Sequence, residues 1–93
     1  MYATIRIYTG NSDLADELRN NQESVERAIS AVPGFQAYYF VATDGGDASV
    51  TVCDDRAGAE ESNRAAAAWI SENLPGLSIA PPAISAGEVV ISF

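Results

Sequence analysis

Four side chains carry most of the chemical interest in this sequence: Arg6, Tyr8, Tyr38 and Trp69. Arg6 stands in the middle of an otherwise apolar alternating segment, YATIRIYTG, and a half-buried guanidinium demands an anionic partner. Two kinds of partner are open. One is an inter-strand ion pair with Asp55 or Glu88; the other is the enolate or carboxylate of a bound ligand. Tyr8 and Tyr38 share the face of Arg6, so their hydroxyls either donate to that ligand or fill a protein interface. Trp69 follows the alanines at 65–68, where it serves as a core filler or as the wall of a pocket for a flat aromatic molecule. The rest of the inventory is restrictive. With no histidine there is no imidazole base, no histidine metal ligand and no imidazole-ligated haem. Cys53 has no histidine or lysine to lower its pKa, and a single cysteine argues against zinc. Arginine stays protonated and tyrosine titrates near 10, so a general base is lacking and ligand binding is favoured over catalysis. The catalytic residues stay unassigned.

The elements that must position these groups fit one domain spanning 1–93, since a chain of 93 residues has no room for a second core. Net charge is −8, which repels phosphate backbones and anionic lipid and disfavours nucleic-acid and membrane partners. No apolar run approaches the ~20 residues of a membrane span, and the first residues lack the pattern of a signal peptide. The lone cysteine leaves no internal disulfide. A cytoplasmic protein without metal or cofactor is expected.

Residues 2–10 alternate with period two and read as a strand. Ser12 is a candidate N-cap for a helix whose stripe is Leu14, Leu18, Val25, Ile29 and Val32, with a loosening at Asn20-Asn21-Gln22 and a stop at Pro33-Gly34. Strands over 35–43 and 48–54 flank Asp44-Gly45-Gly46-Asp47, a hairpin signal rather than a phosphate loop. A second helix runs from Asp55 to Asn73, burying Ser62, Ala66, Trp69, Ile70 and Asn73 or Leu74. Its acidic neighbours Asp54-Asp55 and Glu60-Glu61 read as capping and dipole partners. GEVVISF (87–93) supplies the last strand. The order is βαββαβ, an α+β ferredoxin-like fold: a four-stranded antiparallel sheet with two helices on one face.

With Gly45-Gly46 as the turn, Val41 faces Val50, Tyr39 faces Val52 and Ala37 faces Asp54. These residues, joined by Ala3, Ile5 and Ile7, form the more aliphatic face, which is expected to lie under the helices. The opposite face carries Arg6, Tyr8, Tyr38, Phe40, Thr51 and Cys53, and is expected to be covered by a second copy of the chain. Stacked sheets make a homodimeric barrel.

The element order, the VPGFQAYYFV stretch leaving the first helix and the DDRAGAEESNRAAAAWI stretch entering the second resemble the dimeric α+β barrel superfamily. More narrowly, they are similar to the antibiotic-biosynthesis-monooxygenase-like proteins. The resemblance implies a ferredoxin-like protomer that pairs through its sheet. It also implies a chamber whose Asn, Trp, Tyr and Arg residues bind aromatic polyketides and assist their oxygenation without metal or flavin. The haem-degrading branch uses an Asn on the first strand, a helical Trp and a His ligand. Trp69 matches the Trp approximately, Arg6 stands where the Asn belongs, and the absent histidine excludes haem degradation of that type. Two functions follow: a dimeric protein that binds a small aromatic or apolar ligand or serves as a structural partner, or a cofactor-independent monooxygenase or isomerase acting on an acidic aromatic substrate. The candidate ligand-binding residues are Arg6, Tyr8, Tyr38 and Trp69.

Overall fold

Alternation of β-branched and aromatic residues produces four strands, and two amphipathic stretches fold over one side of them. The computed structural model describes residues 1–10 and 13–93, so the Ser12 cap lies outside the described residues. The elements are β1 (Tyr2–Tyr8), α1 (Leu14–Asn20), α2 (Gln22–Ser30), β2 (Phe35–Thr43), β3 (Gly46–Cys53), α3 (Arg56–Asn73) and β4 (Ala83–Glu88). They form one sheet in the order β2-β3-β1-β4 with every pair antiparallel, the ferredoxin-like arrangement.

The first helix is two helices, making three on the covered face rather than two. Asn21 falls where the stripe requires an apolar residue and uses its polarity locally. Its side-chain Nδ2 and its backbone N–H both donate to the Glu17 carbonyl, while its own carbonyl accepts from Val25 N–H. Such side-chain competition for backbone partners ends α1 and starts α2. Leu14, Val25, Ile29, Trp69 and Leu74 then pack with Tyr8 into the core. At the start of α3 the Asp55 carboxylate accepts from Gly58 N–H at 3.0 Å. Glu60 and Glu61 take a different role from the one expected, pairing with Arg56 and Arg64 on the exposed helix surface.

Three further expectations are corrected. The hairpin register is displaced by two residues: Thr43 pairs with Gly46, and Val41, Tyr39 and Ala37 lie opposite Ala48, Val50 and Val52. The turn is therefore Asp44-Gly45, and Gly46, at φ +137°, opens β3. A side chain there would come within 2.3 Å of the Tyr8 carbonyl, so a close approach between strands, not only turn geometry, requires this glycine. From Ala37 to Thr43 a shift of two preserves side-chain parity, so the residues assigned to each face there remain together, while a β-bulge between Phe35 and Ala37 breaks that parity at the start of the strand.

The second correction concerns β4, which occupies Ala83–Glu88 instead of 87–93. Among the described residues its partner strand is β1, with an antiparallel register from Ile7↔Ala83 to Tyr2↔Glu88 and one further bond from Val89 N–H to the Met1 carbonyl at 2.9 Å. Past that bond, Val90, Ile91 and Phe93 are exposed.

The third correction is the largest. The helices cover the mixed face bearing Thr4, Arg6, Tyr8, Tyr38, Phe40, Ser49, Thr51 and Cys53, while Ile5, Ile7, Tyr39 and Val41 are exposed on the other side. Hydrophobicity alone favours the reverse. The polar residues of the covered face satisfy one another across β1, β3 and α3, which removes the usual penalty for enclosing them. The aliphatic face is left open.

A candidate ligand cleft at a buried arginine

The candidate site grows from the centre of β1. Arg6 faces α3 from the middle of the sheet, opposite Ser49 on β3 and Ile84 on β4, and only 1% of its surface is exposed. Its guanidinium donates from Nε to Ser49 Oγ at 2.9 Å, from Nη2 to Thr51 Oγ1 at 2.7 Å, and from Nη1 to Asn63 Oδ1 at 2.8 Å and Ser62 Oγ at 3.3 Å. Ser62 is held as an acceptor because its own proton goes to the Ala59 carbonyl at 2.7 Å. Asn63 Oδ1 also accepts from Thr4 Oγ1 at 3.0 Å.

Every one of these partners is neutral. Asp55 is occupied in capping α3, and Glu88 lies exposed at the far end of β1, opposite Tyr2. The expected ion pair of Arg6 with either acid is not formed. Among the described residues, the ion pairs lie on exposed helix surfaces and none includes Arg6.

Tyr8 and Tyr38 border this cluster. Burial raises the proton affinity of both phenols, against the opposing influence of the Arg6 charge and a hydrogen bond from it; Tyr38 is pushed up to about 12. Tyr8 further meets Phe40 with ring centroids 6.4 Å apart. Burial, reinforced by Asp54 and Asp55, raises the Cys53 thiol as well, which leaves it a poor nucleophile.

Two clefts flank the polar cluster. One, of about 460 Å³, opens between α1, α2 and β2, and is lined by Leu18, Val25, Ile29, Phe35, Tyr38 and Phe40. The other, of about 630 Å³, lies between α3, the segment following it, β1 and β4, with Arg6, Tyr8, Asn63, Ala67, Ile70 and Ile84 among its walls. Both fall within the range of small-molecule sites. Arg6 and Tyr8 thus share the larger cleft, while Tyr38 faces the smaller one. Trp69 is 5% exposed in the core, its indole N–H donating to Ser24 Oγ at 2.9 Å, and it ties α3 to α2 rather than lining either cleft.

Sequence reasoning missed Asn63, Thr4, Ser49 and the closing wall of the larger cleft. A usable signal was present in Ser62-Asn63, two adjacent polar residues on the inward side of an alanine-rich helix. Among the described residues, no group of three or more His, Cys, Asp or Glu side chains is placed to hold a metal ion, and no helix is long and apolar enough to cross a membrane.

Comparison with protein-family models and with curated proteins gave no match. Solved structures did. A variant of MhuD, a heme-degrader from Mycobacterium tuberculosis, holding two manganese protoporphyrin IX molecules per active site, aligns with TM-score 0.73 at 16% identity, covering 100% of this chain and 98% of that one. A protein of unknown function from Nitrosomonas europaea aligns with TM-score 0.71 at 20% identity, covering 99% and 91%. The monooxygenase from the gene ActVA-Orf6 of Streptomyces coelicolor, in complex with nanaomycin D, aligns with TM-score 0.62 at 19% identity, covering 98% and 91%. Their ferredoxin-like α+β fold is the one this chain adopts. At such identities the likeness is one of architecture.

Proposed function

We propose that this protein is a homodimeric small-molecule-binding module whose ligand, flat and largely apolar, enters the cleft beside Arg6. The observation that carries the reading is the larger cleft itself, where apolar walls from Ala67, Ile70 and Ile84 converge on the polar group Arg6, Tyr8 and Asn63. The neighbours support a flat ligand, since one holds a metalloporphyrin and another nanaomycin D. The open aliphatic face supports the dimer, with the sheets pairing through Ile5, Ile7, Tyr39 and Val41 rather than through the aromatic side. The single cysteine supports a cytoplasmic setting.

The alternative is a cofactor-independent monooxygenase or isomerase, in which Arg6 and Tyr8 stabilise the enolate of an acidic aromatic substrate. It draws support from the monooxygenase among the neighbours. Against it, the phenols beside the clefts hold their protons tightly, Tyr38 to about 12, and so make poor bases near neutral pH. Binding without turnover is the better fit.

The test is an NMR titration of the native protein with naphthalene carboxamides. Amide shifts are expected to cluster at Ala67, Ile70 and Ile84, and Ala67→Trp, which fills the cleft from an exposed helical position, is expected to abolish them. Shifts spread over the open sheet face, or binding that survives Ala67→Trp, would overturn the reading. Oxygen consumption with dihydroxynaphthalenes tests the alternative, and steady turnover would establish it.

A further inference from the structure

A buried guanidinium surrounded only by hydroxyl and amide oxygens has satisfied hydrogen bonds but an uncompensated charge. Hydroxyls and amides supply dipoles, whereas a full counter-charge in the same low-dielectric surroundings interacts far more strongly. None of the described carboxylates forms an ion pair with Arg6. The missing negative charge is therefore a property the ligand can supply.

Two side chains are oriented to receive it. Asn63 Oδ1 accepts from both Thr4 Oγ1 and Arg6 Nη1, which fixes the amide so that oxygen points into the cluster. Its Nδ2 takes no part in those bonds, and Asn63 lines the larger cleft, so the amide N–H groups are the donors it offers a ligand. Tyr8 lines the same cleft, and its phenol, kept protonated by burial, is a second donor there.

We propose that the larger cleft selects planar aromatic molecules bearing one carboxylate, with Asn63 Nδ2 and the Tyr8 hydroxyl reading the anion and Arg6 supplying the charge behind them. The inference rests on the binding function above and specifies its ligand class. The net charge of −8 makes the point sharper: the molecule as a whole repels anions, so one that binds needs a local positive charge such as that of the enclosed Arg6.

The test compares 2-naphthoate with 2-naphthamide, which differ in charge at nearly constant shape, by isothermal titration calorimetry at pH 7. The native protein is expected to bind the carboxylate at least tenfold more tightly. Asn63→Asp retains an acceptor for Thr4 and Arg6 while providing the counter-charge internally. It is expected to erase the preference for naphthoate and to preserve the circular dichroism spectrum. Equal affinities in the native protein overturn the charge selection but leave the cleft as a binding site. A preference that persists in Asn63→Asp overturns the assignment to this cluster. If neither compound binds, the cleft itself fails as the site and the inference falls with it.

Discussion

The open aliphatic face makes a quantitative prediction for Ile5→Asp. Ile5 lies on β1, a central strand, and leaves 41% of its surface exposed in the single chain. Burying an isoleucine fully is worth about 1.5–3 kcal/mol, so covering this remainder contributes roughly 0.6–1.2 kcal/mol per copy. An aspartate at the same position forfeits that gain and places a carboxylate between two apolar sheets, at an effective cost of several kcal/mol per ion. Over the two copies of a symmetric pair the loss is on the order of 8–12 kcal/mol, roughly six to nine powers of ten in dissociation constant. The folded single chain loses far less, because the side chain is part-exposed there and strand propensities span only about 1 kcal/mol. Sedimentation equilibrium at 10–50 µM gives the readout. The native chain is expected at twice 9.8 kDa and the variant at 9.8 kDa with unchanged circular dichroism. Ala68→Asp, on the exposed side of α3, serves as the control and is expected to remain dimeric. A native protein that sediments as a single chain, or an Ile5→Asp protein that stays paired, refutes the reasoning.

Two further outcomes are expected. Of the four tyrosines, Tyr8 and Tyr38 should titrate late in phenolate absorbance, and Tyr38 near 12. Their folded-state affinities are raised above the unfolded value of 10, so the stability tied to the neutral phenols is fully present below pH 10 and is lost as pH rises toward 12; denaturant midpoints that hold flat across that window in the native protein would contradict this. Gly58→Ala should lower stability by about 1–2 kcal/mol, several degrees in Tm, because the added carbon would sit 2.6 Å from the Pro33 carbonyl. That overpacking outweighs the roughly 1 kcal/mol gained in helix propensity, and an unchanged or raised Tm would show that the α2–β2 turn yields instead.

Local pattern carried much of the architecture. Period-two alternation placed β1 and β2, the helical stripe from Leu14 to Val32 placed both halves of the first helical stretch, and Pro33-Gly34 ended it where expected. Even the break at Asn21 was legible, since a polar residue on an apolar stripe has a local use for its side chain. Parity also held: Arg6, Tyr8, Tyr38, Phe40 and Thr51 share a face because alternation is a property of the strand itself, insensitive to a register slip of two.

Which face the helices cover was not local. Counting apolar residues favours enclosing Ile5, Ile7 and Val41, and nothing in a single strand reveals that Arg6, Ser49, Thr51, Ser62 and Asn63, drawn from three separate elements, complete one another's hydrogen bonds. The end of β4 was likewise set by its partner, for a strand extends only as far as the neighbour that supplies its hydrogen bonds. The sequence by itself therefore determined the elements, their order and the residues that travel together. Only the tertiary structure decided that the polar company lies inside around Arg6 and the aliphatic one outside, because that choice depends on mutual satisfaction of groups up to 59 positions apart.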